Sequence, residues 1–157
     1  NYLVDSIERA SKNNMRVRII GDRTALDKDI VEKIEELEEK TKGYDGLTFT
    51  IALNYGGRDE LRRSIQAIAA DVKADKLSLS EIDEKLIGSY LDTDGIPDPD
   101  LMIRTSGEVR LSNYLIWQLA YSEFCFMDVL WPDFTIEHLK DAIRYYNKKE
   151  RRFGGVK

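Results

Sequence analysis

"MRVRIIGDRTALDKDIVEKIEELEEKTKGYDGLTFTIAL" (residues 15–53) contains the pattern that decides the fold. In its opening MRVRII, Val17 and Ile19 alternate with arginines, which predicts a strand with one face toward the core. Residues 27–42 repeat apolar side chains at intervals of three and four, the spacing of an amphipathic helix. Residues 47–53 are rich in β-branched and aromatic side chains and predict a second strand. This order of strand, helix and strand indicates an α/β protein with a largely parallel sheet.

The alternation continues along the rest of the chain. Two short apolar runs, 101–105 and 123–130, predict further strands. The spacing of apolar residues predicts additional helices at 58–75, 80–91, 113–122 and 135–151, and the chain opens within a helix. On the helix at 58–75 we expect one apolar face, made of Leu61, Ile65, Ile68, Ala69 and Val72. The prediction is therefore one α/β domain, residues 1–157, with a mainly parallel sheet flanked by helices.

Composition excludes several classes of function. The net charge of −5 argues against general nucleic-acid binding, because phosphate backbones attract basic surfaces. Cys125 is the only cysteine, so the chain can form no internal disulfide, and its apolar surroundings predict a buried thiol. His138 is the only histidine and lies in a helical pattern, which makes a Ser-His-Asp triad or a histidine-rich metal site improbable.

Three loops that follow predicted strands each carry a glycine and an arginine: residues 21–23, 54–58 and 104–113. In parallel sheets, ligands bind outside the carboxyl ends of the strands. In 104–113, a turn at Ser106-Gly107 would let Arg104, Arg110 and Ser112 converge on a diphosphate, because arginine and serine donate hydrogen bonds to phosphate oxygens. The alternative is an ordinary polar turn in which the arginines pair with acidic neighbours, such as Glu108 or Asp100.

Longer stretches of the chain carry a family resemblance. "DLMIRTSGEVRLSNYLIWQLAYSEFCFMDVLWPDF" (100–134), with NYGGR (54–58) and RRFGG (151–155), resembles the cis-prenyltransferases, and among them the bacterial undecaprenyl diphosphate synthases. The resemblance runs from RVRIIGD (16–22) to the end of the chain. It is specific because several motifs occur in the same order and at the same spacing.

The resemblance implies an activity, a cofactor and partners. The enzyme would be a Mg²⁺-dependent homodimer that condenses isopentenyl diphosphate onto an allylic diphosphate, farnesyl diphosphate, with cis geometry. Its product would be a long polyprenyl diphosphate, the undecaprenyl lipid carrier of cell-wall synthesis. We expect a cytoplasmic protein in peripheral contact with the inner face of the membrane, since no lipid anchor is evident and the product is a long isoprenoid.

The resemblance also assigns roles to individual residues. Glu123 would bind Mg²⁺, which favours one or two carboxylates together with phosphate oxygens; the alternative is a surface glutamate. Four side chains would bind the isopentenyl diphosphate: Arg104, Arg110, Ser112 and Arg152. Arg152, in an Arg-x-Gly motif, would reach the site of the partner subunit. Four further residues would shape the pocket: Asn54, Gly56, Gly57 and Gly154. Ile51, Leu53 and residues 124–134 would line a tunnel for the growing chain, or serve packing alone.

The sequence departs from the family in one respect. The Met-Asp-Gly-Asn-Gly-Arg-Trp loop with the chief catalytic aspartate, and a later Ser-x-Glu-Asn-Trp segment, have no counterpart in these residues. We therefore expect the chain to be the C-terminal portion of a larger catalytic domain, without the catalytic aspartate. Two alternatives are a non-catalytic accessory subunit, against which Arg104, Arg110, Ser112 and Glu123 argue, and a phosphate-binding or interaction module unrelated to prenyl transfer.

Overall fold

Two parallel pairs of strands form the framework of this computed structural model, which describes residues 2–150, with side chains from Ile7 onward. The chain divides into two units, Asn1–Gly95 and Ile96–Lys157, and each contains one pair of strands. The prediction of an α/β protein with parallel strands is confirmed. The prediction that residues 1–157 form one domain stays a prediction.

The first unit is built around strands β1 (Met15–Ile20) and β2 (Leu47–Ala52), which are parallel, with Met15 beside Leu47 and Ile20 beside Ala52. Both strands lie where the residue patterns predict them. The helices of this unit are α1 (Tyr2–Lys12), α2 (Lys28–Thr41), α3 (Gly57–Lys73) and α4 (Glu84–Ser89). Helix α4 is shorter than the predicted 80–91 because a separate 3₁₀ turn, Leu79–Glu81, precedes it.

The core of the first unit follows the alternation of β1. Val17 and Ile19 are buried against Ala10 of α1 and Ile34 of α2. The intervening arginines point away from this core, as the period of two in a strand requires. The two helices therefore cover one face of β1, which is the arrangement that the sequence pattern predicts.

Side chains close the outer edge of β1. The N–H of Val17 donates to Thr41 Oγ1 at 3.1 Å, and the N–H of Ile19 donates to Glu38 Oε1 at 2.8 Å. The next outward N–H, that of Gly21, donates to Asp92 Oδ2 at 3.1 Å. Since an open strand edge can pair with another chain, these three bonds prevent such pairing at β1.

Helix α3 buries a different face from the expected one. Its buried residues are Gly57, Glu60, Ser64 and Ile68, while Ile65 is 63% exposed. The expected apolar face shares only Ile68 with the buried stripe. Two polar side chains, Glu60 and Ser64, take the buried positions because each finds hydrogen-bond partners there.

The second unit contains strands β3 (Leu101–Arg104) and β4 (Glu123–Phe126), also parallel, and helix α5 (Ile136–Tyr146), which packs against β4. The run predicted as a strand at 123–130 thus ends early. Thr135 is the N-cap of α5, and a capping box with His138 satisfies backbone groups at the helix start. Cys125 is buried in β4, as predicted, and burial raises the pKa of its thiol.

The helix predicted at 113–122 is wrong. Residues 113–121 form consecutive turns, and Asn113 and Leu115 have φ angles of +65° and +44°. Left-handed residues interrupt a right-handed helix. Leu115 and Leu119 are both buried although they lie in turns. Their spacing of four residues is also that of a helix, so the sequence pattern alone does not distinguish the two structures. Among residues 2–150, no helix has the length and apolar character needed to cross a bilayer.

Candidate diphosphate-binding site

The loop after β3 makes the predicted turn at Ser106 and Gly107, whose φ angles are +67° and +66°. The N–H of Ser106 donates to the carbonyl of Val129 at 2.8 Å, and that of Gly107 donates to the carbonyl of Met127 at 2.9 Å. These two N–H groups are therefore occupied by the segment that follows β4. The donors that the loop can offer to an anion are its side chains.

Arg104 and Ser112 lie together at the carboxyl end of β3. Arg104 Nη2 donates to Ser112 Oγ at 3.4 Å. Within residues 2–150, Arg104 forms no ion pair with an acidic side chain. A guanidinium and a neighbouring hydroxyl are two kinds of hydrogen-bond donor, and both can bind phosphate oxygens.

Arg110 takes the alternative arrangement that the sequence left open. It forms an ion pair with Glu108, two residues before it, and both side chains are largely exposed. The structure therefore brings together two of the expected binding residues, Arg104 and Ser112, and pairs the third with an acidic neighbour. Arg152 and Gly154, the remaining expected residues of the C-terminal motif, lie outside the described residues.

The backbone around Ser112 is held in an unfavourable conformation. Ser112, Asn113 and Leu115 all have positive φ, which costs roughly 1–2 kcal/mol per residue without glycine. Leu115 and Leu119 are buried, at 8% and 3% exposed, and anchor the segment. Burial of these leucines thus stabilises the conformation that presents the Ser112 hydroxyl to Arg104.

Glu123, the expected metal ligand, is the first residue of β4 and is partly buried. Its backbone N–H donates to the carbonyl of Asp100 at 2.9 Å. After α5, Lys149 Nζ lies over the Tyr145 ring, 4.2 Å from its centroid. The pKa of Lys149 is raised, first by its hydrogen bond with Tyr145 and to a smaller extent by the charge of Glu123.

The residues present do not assemble a magnesium site beside Arg104. Residues 2–150 contain no group of three or more His, Cys, Asp or Glu side chains arranged to bind a metal ion. A single carboxylate can bind Mg²⁺ when phosphate oxygens supply further ligands. Glu123, however, is paired with Leu101 at the amino end of β3, whereas Arg104 is at the carboxyl end. The metal role of Glu123 stays a prediction.

In the first unit, the loops after β1 and β2 are tied together. Asn54, at φ +49°, donates from Nδ2 to the carbonyl of Asp22 at 2.8 Å, and the N–H of Asp22 donates to the carbonyl of Asn54 at 3.2 Å. A cavity of about 290 Å³ opens between these loops, lined by Asp22, Asn54, Tyr55, Gly56 and Asp59. Asn54 and Gly56 thus line a pocket in this unit, while Gly57 is buried at the start of α3.

A buried polar network behind this cavity escaped the sequence analysis. Glu60 is fully buried, and it accepts hydrogen bonds from the Tyr55 hydroxyl at 2.6 Å and the Asp92 N–H at 2.9 Å. The Asp92 carboxylate accepts from Gly21 and from Arg63, whose pKa the bond to Asp92 raises. The sequence does contain one indication of this network. Glu60, Ser64 and Ile68 are spaced four residues apart, so they share one face of α3, and Glu60 is thereby placed on the same face as an apolar residue.

These features define an α/β protein with parallel strands and a candidate anion site at the carboxyl end of one strand. A sequence model of the family described as "Putative undecaprenyl diphosphate synthase" matches residues 1–154. The chain belongs to this family, the cis-prenyltransferases.

Similar proteins agree with that assignment. The chain is 51% identical over 154 residues to the isoprenyl transferase of Streptococcus thermophilus, a match that covers 96% of this chain and 62% of that protein. It is 46% identical over 155 residues to the isoprenyl transferase of Bacillus subtilis, covering 99% of this chain and 58% of that protein. The chain thus spans about three fifths of the length of these curated relatives.

Solved structures show the same fold. Lavandulyl diphosphate synthase from Lavandula x intermedia, in complex with dimethylallyl diphosphate, superimposes with a TM-score of 0.91 at 35% identity. That match covers 98% of this chain and 66% of the synthase. A probable undecaprenyl diphosphate synthase from Campylobacter jejuni superimposes with a TM-score of 0.83 at 37% identity, covering 98% of this chain and 69% of the other.

Proposed function

We propose that this chain contributes the isopentenyl diphosphate site of a cis-prenyltransferase. The observation that carries the proposal is the contact between Arg104 and Ser112 at the carboxyl end of β3, where Arg104 has no acidic partner among residues 2–150. A cationic fork with a neighbouring hydroxyl can bind several oxygens of a diphosphate. The names of the relatives, isoprenyl transferase and undecaprenyl diphosphate synthase, support the same chemistry.

Arg110 joins the site by exchanging its partner. Its ion pair with Glu108 is exposed, and such pairs contribute no more than about 1 kcal/mol. A diphosphate carries more negative charge than one carboxylate and offers several acceptors, so it competes well for this guanidinium. Arg110 and Arg152 then complete the diphosphate contacts in the proposed complex.

The allylic partner in the proposal is farnesyl diphosphate, and the product is a long polyprenyl diphosphate that serves as lipid carrier in cell-wall synthesis. The neighbour that binds dimethylallyl diphosphate supports an allylic diphosphate as the second substrate class. The proposal includes a homodimer, a cytoplasmic location and peripheral contact with the membrane. It also includes Mg²⁺ as cofactor, but no step is assigned to the ion because Glu123 and Arg104 do not share one end of their strands.

The test is calorimetric titration of the chain with isopentenyl diphosphate. We expect saturable binding by the unmodified chain and binding weaker by at least about tenfold in Arg104→Ala, since a hydrogen bond to a charged group contributes roughly 1.5–3 kcal/mol. Arg144→Ala is the matched control, because Arg144 is an exposed arginine of the same unit that pairs with Asp141 on α5. Equal affinity of the Arg104 and Arg144 variants would refute the proposed site.

A prenyl-transfer assay then tests the reaction. It uses farnesyl diphosphate, labelled isopentenyl diphosphate and Mg²⁺, with this chain alone and with the chain co-expressed with the part of a curated relative that it does not span. Product that depends on Arg104 supports the proposed activity. Folded protein that binds isopentenyl diphosphate but yields no product in either preparation would favour the accessory subunit over the catalytic one.

A further inference from the structure

His138, the only histidine of the chain, holds the start of helix α5 together. The backbone N–H of Thr135 donates to His138 Nδ1 at 3.0 Å, and the Thr135 hydroxyl lies 3.0 Å from the same nitrogen. A backbone N–H can only donate, so Nδ1 is the acceptor and the proton of the neutral ring is on Nε2. The contact therefore requires one tautomer of the neutral imidazole.

The imidazole of His138 also ends a stack of three rings. Its centroid lies 5.8 Å from that of Phe134, with 29° between the ring planes. The Phe134 centroid lies 5.5 Å from that of Trp131, with 17° between the planes. Trp131 belongs to the 3₁₀ turn Trp131–Asp133, and Phe134 follows this turn. The stack thus joins the 3₁₀ turn to the first turn of α5, so the position of the imidazole helps to fix the two aromatic rings before it.

Protonation of His138 removes the acceptor that this arrangement needs. The imidazolium carries N–H groups on both nitrogens, so Nδ1 no longer accepts from the Thr135 N–H. The same proton places a positive charge in the first turn of a helix, where the helix dipole is itself positive. Both effects favour opening of this turn. Histidine ordinarily changes its charge between about pH 5 and pH 8, so a small change of pH in this range is sufficient.

No carboxylate of the described residues compensates for the charge of the imidazolium. The elements around the ring are α5 itself, the 3₁₀ turn before it and strand β4, which packs against α5. Four acidic side chains belong to these elements: Asp133, Glu137, Asp141 and Glu123. Among residues 7–150, none of the four forms an ion pair with His138, and Glu137 and Asp141 pair instead with the basic residues Lys140 and Arg144. The protonated ring keeps the Thr135 hydroxyl as a neighbour but gains no acidic partner.

We infer that His138 makes the start of α5 a pH-sensitive switch. With the neutral ring, the Thr135 N–H has its acceptor and the three rings are stacked. With the protonated ring, the first turn of α5 opens and the stack separates, while the rest of the helix keeps its contact with β4. The exposed apolar surface formed by Leu130, Trp131 and Ile136 therefore differs between the two forms. The switch does not depend on the proposed diphosphate site.

Urea unfolding at pH 8 and pH 5 tests the switch in three proteins: the unmodified chain, His138→Gln and His138→Ala. Glutamine at the third position of a helix also accepts the N–H of a capping box, but its amide does not titrate. His138→Gln is therefore the matched control, because it retains every carboxylate of the chain. His138→Ala has no acceptor at any pH. The stack is followed separately by nuclear Overhauser contacts between the rings of Trp131 and Phe134.

From pH 8 to pH 5, we expect the unfolding equilibrium constant of the unmodified chain to rise about fivefold relative to that of His138→Gln, since loss of a helix cap has an effect of this size. At pH 8, His138→Ala should already unfold about fivefold more readily than the unmodified chain. The contacts between the Trp131 and Phe134 rings should weaken at pH 5 in the unmodified chain and persist in His138→Gln.

Three results would each overturn the inference. Equal pH dependence of the unmodified chain and His138→Gln would assign the titration to carboxylates. Equal stability of His138→Ala and the unmodified chain at pH 8 would show that the Nδ1 acceptor does not hold the start of α5. Ring contacts between Trp131 and Phe134 that persist in the unmodified chain at pH 5 would show that the stack does not follow the charge of His138.

Discussion

Arg63 and Asp92 form a two-point ion pair: Arg63 Nη1 lies 2.8 Å from Asp92 Oδ1, and Nη2 lies 2.7 Å from Oδ2. The same carboxylate accepts the N–H of Gly21, and the Asp92 N–H donates to buried Glu60. Asp92 thus joins α3 to the loop after β1, next to the cavity lined by Asp22 and Asn54. The pair is only partly exposed, at 30% and 17%, so solvent screens it less than a surface pair.

Arg63→Ala should lower the free energy of unfolding by about 2 kcal/mol, between the values for exposed and buried ion pairs. The reason is that the Asp92 carboxylate keeps its partly buried position and loses its counter-charge. Urea unfolding followed by circular dichroism measures the change. The adjacent Arg62→Ala is the control, because Arg62 is 56% exposed and pairs with Asp59, so its loss should cost less than about 1 kcal/mol. Equal costs in the two variants would contradict the role assigned to Arg63.

Gly21→Ala should destabilise the fold severely. Gly21 has φ +121°, and a Cβ atom at this position would lie 2.0 Å from the backbone carbonyl oxygen of Leu53. A backbone group cannot move aside like a flexible side chain, so we expect a loss of about 3 kcal/mol or more, or failure to fold.

Gly88→Ala in α4 is the matched control for Gly21→Ala. A Cβ atom there has nothing within 4 Å, so alanine should stabilise the helix by about 0.5 kcal/mol. Thermal unfolding of the two variants distinguishes these effects. A Gly21 variant as stable as the Gly88 variant would show that the loop after β1 relaxes without cost.

The hydrogen bond between Tyr90 and Asp71 should stabilise the fold at intermediate pH and lose this effect at both acid and alkaline pH. The Tyr90 hydroxyl donates to Asp71 Oδ2 at 2.8 Å. This bond is the main reason that the pKa of Asp71 falls below its ordinary value of 3.8, and it raises the pKa of Tyr90 above 10.0. Because the Asp71 pKa is lowered, its contribution is lost as pH falls through the folded value; because the Tyr90 pKa is raised, its contribution is lost as pH rises through the folded value.

The measurement for this pair is the difference in unfolding free energy between the unmodified chain and Tyr90→Phe as a function of pH. We expect the difference to be largest between about pH 4 and pH 10 and to shrink on both sides. Tyr44→Phe removes a hydroxyl that has no hydrogen-bond partner among the described residues and serves as control. A Tyr90→Phe difference that grows toward acid pH would have the wrong sign for a lowered Asp71 pKa.

How far the sequence predicts this protein depends on the kind of signal. The alternation around Val17 and Ile19 predicts β1 correctly because burial of one strand face leaves a period of two. The turns at 113–121 were misread as a helix because Leu115 and Leu119 are buried at helical spacing while positive φ angles, which no spacing records, interrupt the helix.

The sequence likewise predicts some features of the candidate site and not others. Its chemistry is readable in RTSGEVRLSN, and Arg104 does lie beside Ser112. The sequence left two arrangements of Arg110 open, a contact with a diphosphate and an ion pair with an acidic neighbour such as Glu108. Both arrangements use the same local residues, so the sequence does not distinguish them. The opposite positions of Arg104 and Glu123 follow only from the strand register, which depends on packing between segments distant in sequence. The network around Glu60 was missed because its partners, Tyr55 and Asp92, come from different loops.

Glu38 closes the outer edge of β1, and its removal should expose that edge. Its Oε1 accepts the Ile19 N–H, and both its oxygens accept from Arg23 Nη2 at 2.8 Å, while Arg23 also donates to the Ile19 carbonyl. In Glu38→Ala the Ile19 N–H loses its acceptor and Arg23 loses its counter-charge. We expect a loss of about 2 kcal/mol in unfolding free energy, measured by urea titration.

Glu38→Ala should also change the state of association. An unpaired strand edge offers N–H and carbonyl groups to a second chain, so light scattering after size exclusion should show species larger than those of the unmodified chain, increasing with concentration. Glu39→Ala is the matched control, because the neighbouring Glu39 is exposed and pairs only with Lys42 among the described residues. Glu38→Gln keeps an acceptor for the Ile19 N–H and should retain the unmodified association state, although it weakens the contact with Arg23. If Glu38→Ala matches Glu39→Ala in both stability and size, the N–H of Ile19 does not depend on Glu38 for protection, and Thr41 and Asp92 alone keep the edge of β1 closed.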